Sequence, residues 1–121
     1  MLRQVIVAKN LKRVTTSQNL SAAALNFTTS IGKPFQILEV LIRSSVAITE
    51  TATVTLNSDT GSNYDHILGT MDFDGTQNVS FIAGDTMVPV TCLPADEIDV
   101  DVTADNATGI VYVTIKYEEL Y

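Results

Sequence analysis

The chain has little of the chemistry that most enzymes and metalloproteins require. Its 121 residues include no tryptophan, a single cysteine (Cys92) and a single histidine (His66). One cysteine excludes an internal disulfide framework, and one cysteine with one histidine leaves too few soft ligands for a structural zinc site. No apolar run approaches the roughly 18–20 residues of a membrane-spanning helix. The sequence therefore predicts no cofactor, no metal site and no membrane partner.

Charged residues are also scarce, and their two signs are separated along the chain. They make up 17% of the residues, below the roughly 25% of typical globular domains. Residues 1–43 hold six bases and one acid, for a net charge of +5, whereas residues 44–121 hold one base and thirteen acids, for −12. A basic segment on an acidic body suggests contact with an acidic neighbour, with a short solvated tail as the alternative. The charge of −12 makes nucleic acid an unlikely partner for the body.

Apolar residues at alternate positions predict strands rather than helices. This period-2 pattern is clear in Thr49–Asn57, Glu97–Thr103 and Gly109–Tyr117, and it is typical of half-buried strands. Phe35–Arg43 is more continuously apolar and is predicted as a central strand covered on both faces. A short helix is the alternative for that segment, and the preceding Pro34 favours the strand. Shorter or less regular strands are predicted over 20–29, 64–71, 79–83 and 87–93.

Polar turns separate these eight segments at a spacing of about ten residues, and Asp74-Gly75 is the strongest turn signal. The sequence therefore predicts an all-β fold, a single antiparallel β-sandwich that is jelly-roll-like with about eight strands. Residues 1–19 are predicted as an extended N-terminal arm and linker, with the linker at 15–19, and residues 20–121 as the sandwich domain. The apolar segment Leu2–Ala8 is a candidate ninth strand that pairs with the sheet edge of another subunit.

The candidates for catalysis are weak. His66 follows Asp65, but adjacent strand residues point to opposite faces, so this pair is predicted as surface residues. Cys92 is predicted as a buried, unreactive thiol. Asp99 and Asp101 lie two residues apart on one strand face, and paired carboxylates serve glycoside hydrolysis or calcium binding. We predict no catalytic residue and leave open whether calcium binds the acidic cluster of Asp96, Glu97, Asp99, Asp101 and Asp105.

Tyrosines near the C-terminus are candidate interface residues. Tyrosine is frequent at interfaces because it combines a large apolar ring with one polar end. Packing into the core at one end of a sheet is the alternative. The residues concerned are Tyr112, Tyr117 and Tyr121.

The C-terminal third carries a pattern of leucine, small residue and acid, followed by an alternating strand, a turn and a final alternating strand. It runs over Leu93–Val102 and Gly109–Leu120, and the strand Phe35–Ile42 precedes it. This arrangement resembles that of small β-sandwich structural proteins of tailed bacteriophages, and the resemblance covers about residues 20–121.

The resemblance implies an accessory protein of a virus particle: a capsid decoration or cement protein, a head-fibre base or a tail-associated subunit. Such proteins are similar in being compact, non-enzymatic and oligomeric, commonly homotrimers, with arms that exchange between neighbours. The expected partners are further copies of the chain and the major capsid or other virion proteins, and the expected location is the virion. The residues expected to carry assembly are Val5, Ile6 and Val7 by strand addition, and Arg3, Lys9, Lys12 and Arg13 by electrostatic contact.

A carbohydrate-binding or adhesion module is the alternative function. Sugar sites usually need exposed aromatic side chains, and tryptophan is absent. The remaining candidate platforms are Tyr64, Phe73, Tyr112 and Tyr121.

Overall fold

The computed structural model describes residues 10–105 and 107–120, which form two antiparallel β-sheets packed face to face. The strands in this part of the chain are β1 (Asn10–Asn19), β2 (Leu25–Ser30), β3 (Phe35–Ile48), β4 (Thr51–Asn57), β5 (His66–Asp72), β6 (Thr76–Ile82), β7 (Thr91–Cys92), β8 (Glu97–Val102) and β9 (Ile110–Glu119).

The connectivity is that of one long hairpin rolled into a sandwich. Sheet A has the strand order β1-β9-β3-β6, with the short β7 also paired to β3, and sheet B has the order β2-β8-β4-β5. The pairs β1–β9, β2–β8, β3–β6 and β4–β5 are the rungs of the hairpin, and β9–β3 and β8–β4 are the pairs made by rolling it. This is a jelly roll. The predicted all-β antiparallel sandwich is confirmed.

Alternation along the strands builds the core between the sheets. The apolar residues of β8, Ile98, Val100 and Val102, are buried, and so are the alternate residues Val111 and Val113 of β9. Full burial of each such aliphatic side chain stabilises the fold by about 1.5–3 kcal/mol. The intervening residues point outward and form the two outer surfaces of the sandwich.

A β-bulge explains why β3 looks almost continuously apolar in the sequence. In the pairing of β3 with β9 the register shifts between Ile37 and Glu39, which leaves Leu38 and Glu39 next to each other on the outer side. Ile37 and Val40 are both buried on the inner side. The predicted central strand is confirmed, but within the described residues no other layer covers its outer side, where Leu38 lines a hollow.

Strand β1 corrects the predicted linker. Residues 15–19 form the second half of β1, which pairs with β9 along its whole length. They are polar because β1 is an edge strand, and only alternate side chains such as Val14 and Thr16 are half-buried against the core. The arm over residues 1–9, including the candidate strand Leu2–Ala8, lies outside the described residues and stays a prediction.

Two other strands are shorter than predicted. Strand β2 begins only at Leu25, because the chain first turns after Asn19, whose side-chain Oδ1 accepts the Ser21 backbone N–H at 3.1 Å. Of the segment predicted at 87–93, only Thr91–Cys92 is a strand. Pro89 lacks the N–H that a ladder needs, which keeps the residues before Thr91 out of the sheet.

Candidate interaction surfaces

The outer surface of sheet A, called face A below, combines exposed apolar side chains with cations. Leu11, Ile82 and Tyr112 are 59%, 45% and 48% exposed. Strand register places Arg13 opposite Lys116, and large apolar side chains grouped with cations on one surface indicate a contact site rather than scattered exposure. Face A consists of Leu11, Arg13, Leu38, Glu39, Leu41, Arg43, Ile82, Tyr112, Lys116 and Glu118, which lies opposite Leu11.

Two hollows lie along face A, and cations line both. The first has a volume of about 490 Å³ and is lined by Lys12, Arg13 and Lys116 together with the acid Glu39. The second has a volume of about 620 Å³, and its charged lining residue is Arg43. Four of the five cations in the described residues therefore line these hollows, in a protein whose net charge is −7.

The cations of face A are only partly neutralised. Lys116 Nζ lies 3.4 Å from Glu39 Oε2, and Ser80 Oγ donates to Glu39 Oε1 at 3.1 Å. In the described residues no acid forms an ion pair with Arg13 or Arg43. Arg13 and Lys116 face each other directly across β1 and β9, an arrangement of like charges that destabilises a sheet. Face A thus has positive charge left for an acidic partner.

The structure describes only part of the predicted assembly arm. Lys12 and Arg13 lie on β1, both exposed. β1 is an edge strand, so within the described residues its outer edge has no strand partner. The other predicted arm residues, Arg3, Val5, Ile6, Val7 and Lys9, lie outside the described residues.

The structure separates the predicted interface tyrosines. Tyr112 is on face A and lines the second hollow. Tyr117 is half-buried, and its ring meets that of Phe35 edge to face, with centroids 6.0 Å apart at 76°. Tyr117 therefore packs against the core, which is the alternative that the sequence left open. Tyr121 lies outside the described residues.

The outer surface of sheet B, called face B below, is acidic and rich in threonine. Asp99 is its best-connected acid: Thr28 Oγ1 donates to Asp99 Oδ1 at 2.5 Å, and Asn57 Nδ2 donates to Asp99 Oδ2. Burial, and then the charge of Asp99, raises the pKa of Asp101. No cation of the described residues lies on this surface, which consists of Thr28, Thr53, Thr55, Asn57, Ile67, Thr70, Asp72, Glu97, Asp99 and Asp101.

The acidic residues do not converge on one point. Asp96 is buried in the turn before β8, where its carboxylate accepts the backbone N–H groups of Leu93 at 2.8 Å and Asp59 at 3.0 Å. Asp105 lies beyond the other end of β8 and donates its backbone N–H to Glu50 Oε2 at 3.2 Å. Across residues 10–105 and 107–120, no three His, Cys, Asp or Glu side chains are grouped so as to hold a metal ion.

The other candidates for chemistry stand alone. His66 is exposed at the start of β5, and the neighbouring Asp65 accepts the Ser58 N–H at 2.8 Å. Cys92 is completely buried, and burial, followed by the charge of Asp96, raises the pKa of its thiol to about 12. Both residues are placed as the sequence predicted, on the surface and in the core.

The structure removes one of the predicted sugar platforms. Phe73 is fully buried, because it anchors the crossing from β5 to β6 in the core. Tyr64 is 63% exposed, but it lies in the connection between β4 and β5, whereas Tyr112 lies on face A. The described candidates therefore form no shared aromatic platform.

The sequence did not reveal face A. Its residues come from four strands that are distant in the chain, and only the register brings Arg13, Lys116 and Glu39 into one row. One signal was present, since Leu38 and Leu41 make the apolar run of β3 too continuous for a strand with one solvated side. That signal indicated a covered outer side, and two of the three face A cations, Arg13 and Lys116, came from other strands.

No helix in the described residues has the length and apolar character needed to cross a membrane. No protein-family model matches the chain, and no curated protein matches it by sequence.

Several solved structures are similar to the chain. The Drosophila NLP core, studied for pentamer formation and histone binding, has 9% identity and a TM-score of 0.47, covering 90% of this chain and 97% of that one. The giant freshwater prawn Macrobrachium rosenbergii extra small virus (XSV) VLP has 10% identity and a TM-score of 0.39, covering 99% and 85%. Infectious bursal disease virus, Gx strain, has 13% identity and a TM-score of 0.38, covering 94% and 36%.

Two of these three structures are viral and none is of a bacteriophage protein. With TM-scores below 0.5, these likenesses carry no argument about function. The resemblance to phage proteins stays a prediction.

Proposed function

We propose that the protein is a non-enzymatic structural component of a virus particle. In this proposal it is an accessory virion subunit, such as a capsid decoration or cement protein, that self-associates and bridges its neighbours through its N-terminal segment. The fold is compatible with this role, since jelly rolls build viral capsid domains, although they also build lectin and cupin domains. The sequence pattern shared with tailed-phage structural proteins favours the viral role.

The observation that carries the proposal is the edge position of β1. Within residues 10–105 and 107–120, β1 pairs with β9 on one side only, and the free N–H and C=O groups of an edge strand are a template for pairing with another chain. Residues 1–9 directly precede Asn10, which is the first residue of this edge strand. A β-forming segment at that position can extend to the sheet of a neighbour.

The mechanism has an apolar part and an electrostatic part. Val5, Ile6 and Val7 add a strand to the sheet edge of a neighbouring subunit, where main-chain hydrogen bonds supply the affinity. Arg3 and Lys9, together with Lys12 and Arg13 of β1, contact acidic surfaces of that neighbour. Each contact is weak, and many copies on one particle hold it through avidity.

The test is the molar mass in solution, measured by light scattering on the full chain and on a variant lacking residues 1–9. The deletion ends before Asn10 because Asn10 is the first residue of β1, which pairs with β9 along its whole length. We expect a closed oligomer, a trimer in the simplest case, for the full chain and loss of it in the variant. A second variant replaces Arg3 and Lys9 with Ser and keeps the apolar segment, which separates the electrostatic part of the contact from strand addition.

Monomers in both preparations, together with no binding to virus particles, would contradict the proposal. Specific binding on a glycan array, with no self-association, would favour the carbohydrate-binding alternative instead.

A further inference from the structure

The two outer surfaces of the sandwich differ in charge. In the described residues face A carries the cations Arg13, Arg43 and Lys116 and the acids Glu39 and Glu118, for a net charge of +1, and Lys116 is paired with Glu39. Face B carries Asp72, Glu97, Asp99 and Asp101 and, among the described residues, no cation. The molecule is therefore polar across its thickness, with a net charge of +1 on face A and −4 on face B among the described residues.

Each face is also under repulsion of its own. On face A, Arg13 and Lys116 are directly opposite across two paired strands. On face B, Asp99 and Asp101 share one side of β8, and burial together with the charge of Asp99 raises the pKa of Asp101. A surface of the opposite sign would relieve both repulsions, and each face is such a surface for the other.

We propose that face A of one copy docks on face B of a second copy. This contact is made by the faces of the sheets, whereas the proposed function uses strand addition at a sheet edge. The two contacts are independent of each other. Because the two faces lie on opposite sides of one molecule, the contact is heterologous and repeats from copy to copy. It grows as a stack unless the rotation between copies closes a ring.

Apolar side chains on both faces add hydrophobic burial to the electrostatic attraction between them. Leu11, Ile82 and Tyr112 are exposed on face A, and Ile67 is 62% exposed on face B. The hollows of face A, about 490 and 620 Å³, give such side chains room to seat. Electrostatic complementarity then sets orientation and excludes wrong partners, since like-charged faces repel.

A second copy fits face A better than nucleic acid does. The protein as a whole carries −7, so a polyanion is repelled by most of its surface, whereas face B presents its acids on the outer side of a four-stranded sheet, as face A presents its cations on a sheet. The partner is also always present at the concentration of the protein itself.

The test is sedimentation of the full chain over a range of concentrations in 50 mM and 300 mM salt. One variant reverses face A (Arg13→Glu with Arg43→Glu), one reverses face B (Asp72→Lys with Glu97→Lys), and one combines all four substitutions. A control, Asp59→Lys with Asp85→Lys, changes exposed acids that lie on neither face. Thermal unfolding checks that each variant is folded.

We expect the association constant to fall about tenfold or more in each single-face variant at 50 mM salt, because like charges then oppose. The combined variant should recover to within about threefold of the unmodified chain, since the faces again match. The association constant of the control variant should not show this decrease. Salt at 300 mM should weaken association of the unmodified chain, because the Debye length shortens to about 6 Å or less.

Three results would overturn the inference: a combined variant as weak as the single-face variants, association that is indifferent to salt, or a full chain that shows no concentration-dependent contact at 50 mM. A labelled 20-nucleotide DNA bound by the unmodified chain, and not by the face A variant, would reassign face A to nucleic acid. The variant lacking residues 1–9 separates the two proposals, because stacking should persist in it while the arm-dependent oligomer is lost.

Discussion

Asp99 and Asp101 show how two like residues on one strand have opposite effects on stability. Asp99 accepts hydrogen bonds from Thr28 and Asn57, whereas Asp101 has its pKa raised by burial and by Asp99. A carboxyl whose folded pKa is raised contributes stability below its unfolded pKa, and that contribution is lost as pH rises through the folded value. At neutral pH, ionised Asp101 is therefore a cost and Asp99 a gain.

We expect Asp101→Asn to raise the melting temperature at pH 7, because it removes that cost. The increase should shrink as the pH falls through the raised pKa of Asp101 towards 3.8, the ordinary pKa of the carboxyl, and should be absent below 3.8, where the carboxyl is neutral in the folded and the unfolded chain. Asp99→Asn should lower the free energy of unfolding by about 0.5–1.5 kcal/mol, because an amide cannot accept both bonds. Equal changes in the two variants would contradict this assignment.

Cys92 should be unreactive in the folded protein. Its thiol is fully buried and has a pKa of about 12, so almost none is thiolate at pH 8. We expect no reaction with a chromogenic disulfide reagent at pH 8 until denaturant is added, when one thiol per chain reacts. The raised pKa also means that this residue's contribution to stability is lost as pH rises from about 9 towards 12. Rapid labelling without denaturant would show that the site opens.

At the scale of elements, the bulge in β5 brings sheet B close to sheet A. The register of β5 with β4 shifts between Val54 and Thr55, and Gly69 lies at that point. A Cβ on Gly69 would come within 2.8 Å of Phe81 Cδ1 and of the Thr86 carbonyl oxygen. The absence of a side chain therefore allows the approach.

We expect Gly69→Ala to lower the free energy of unfolding by about 1–3 kcal/mol, because overpacking moves the Phe81 ring or the backbone. Thr70→Val, one residue along on face B, is the control, and should change it by about 0.5 kcal/mol or less. Chemical denaturation of both variants measures the difference. A Gly69→Ala variant as stable as the control would mean that the two sheets separate there at little cost.

Alternation identified the strands that have one apolar side, such as β4, β8 and β9. It missed β1, because an edge strand that buries only Val14 and a few half-buried neighbours looks like a polar linker. It also missed the bulge of β3, since a register shift depends on the partner strand. The local alternation of apolar residues therefore predicted most of the strands. The edge strand and the bulge could not be predicted in this way, because both depend on how strands pair.

At the scale of the whole molecule, the sequence predicted the sandwich but not the separation of charge between its faces. The two ends of the chain differ in charge, and this pointed to a basic arm. In the structure, Lys116 from the acidic part joins Arg13 and Arg43 on one face. The charge of a surface depends on which strands are neighbours in the sheet. That strand order cannot be read from any local pattern in a single sequence.

The rolled hairpin has a consequence for synthesis. Its outermost rung joins β1 to β9, so the first described strand has no partner until the last has been made. At about 5–20 residues per second, roughly 100 residues separate the two strands in time by about 5–20 s. During that interval β1 is an unpaired strand on a ribosome, where another nascent chain can capture it. The β1–β9 pair can therefore form only after β9 has been synthesised, which makes it the last rung of the hairpin to close.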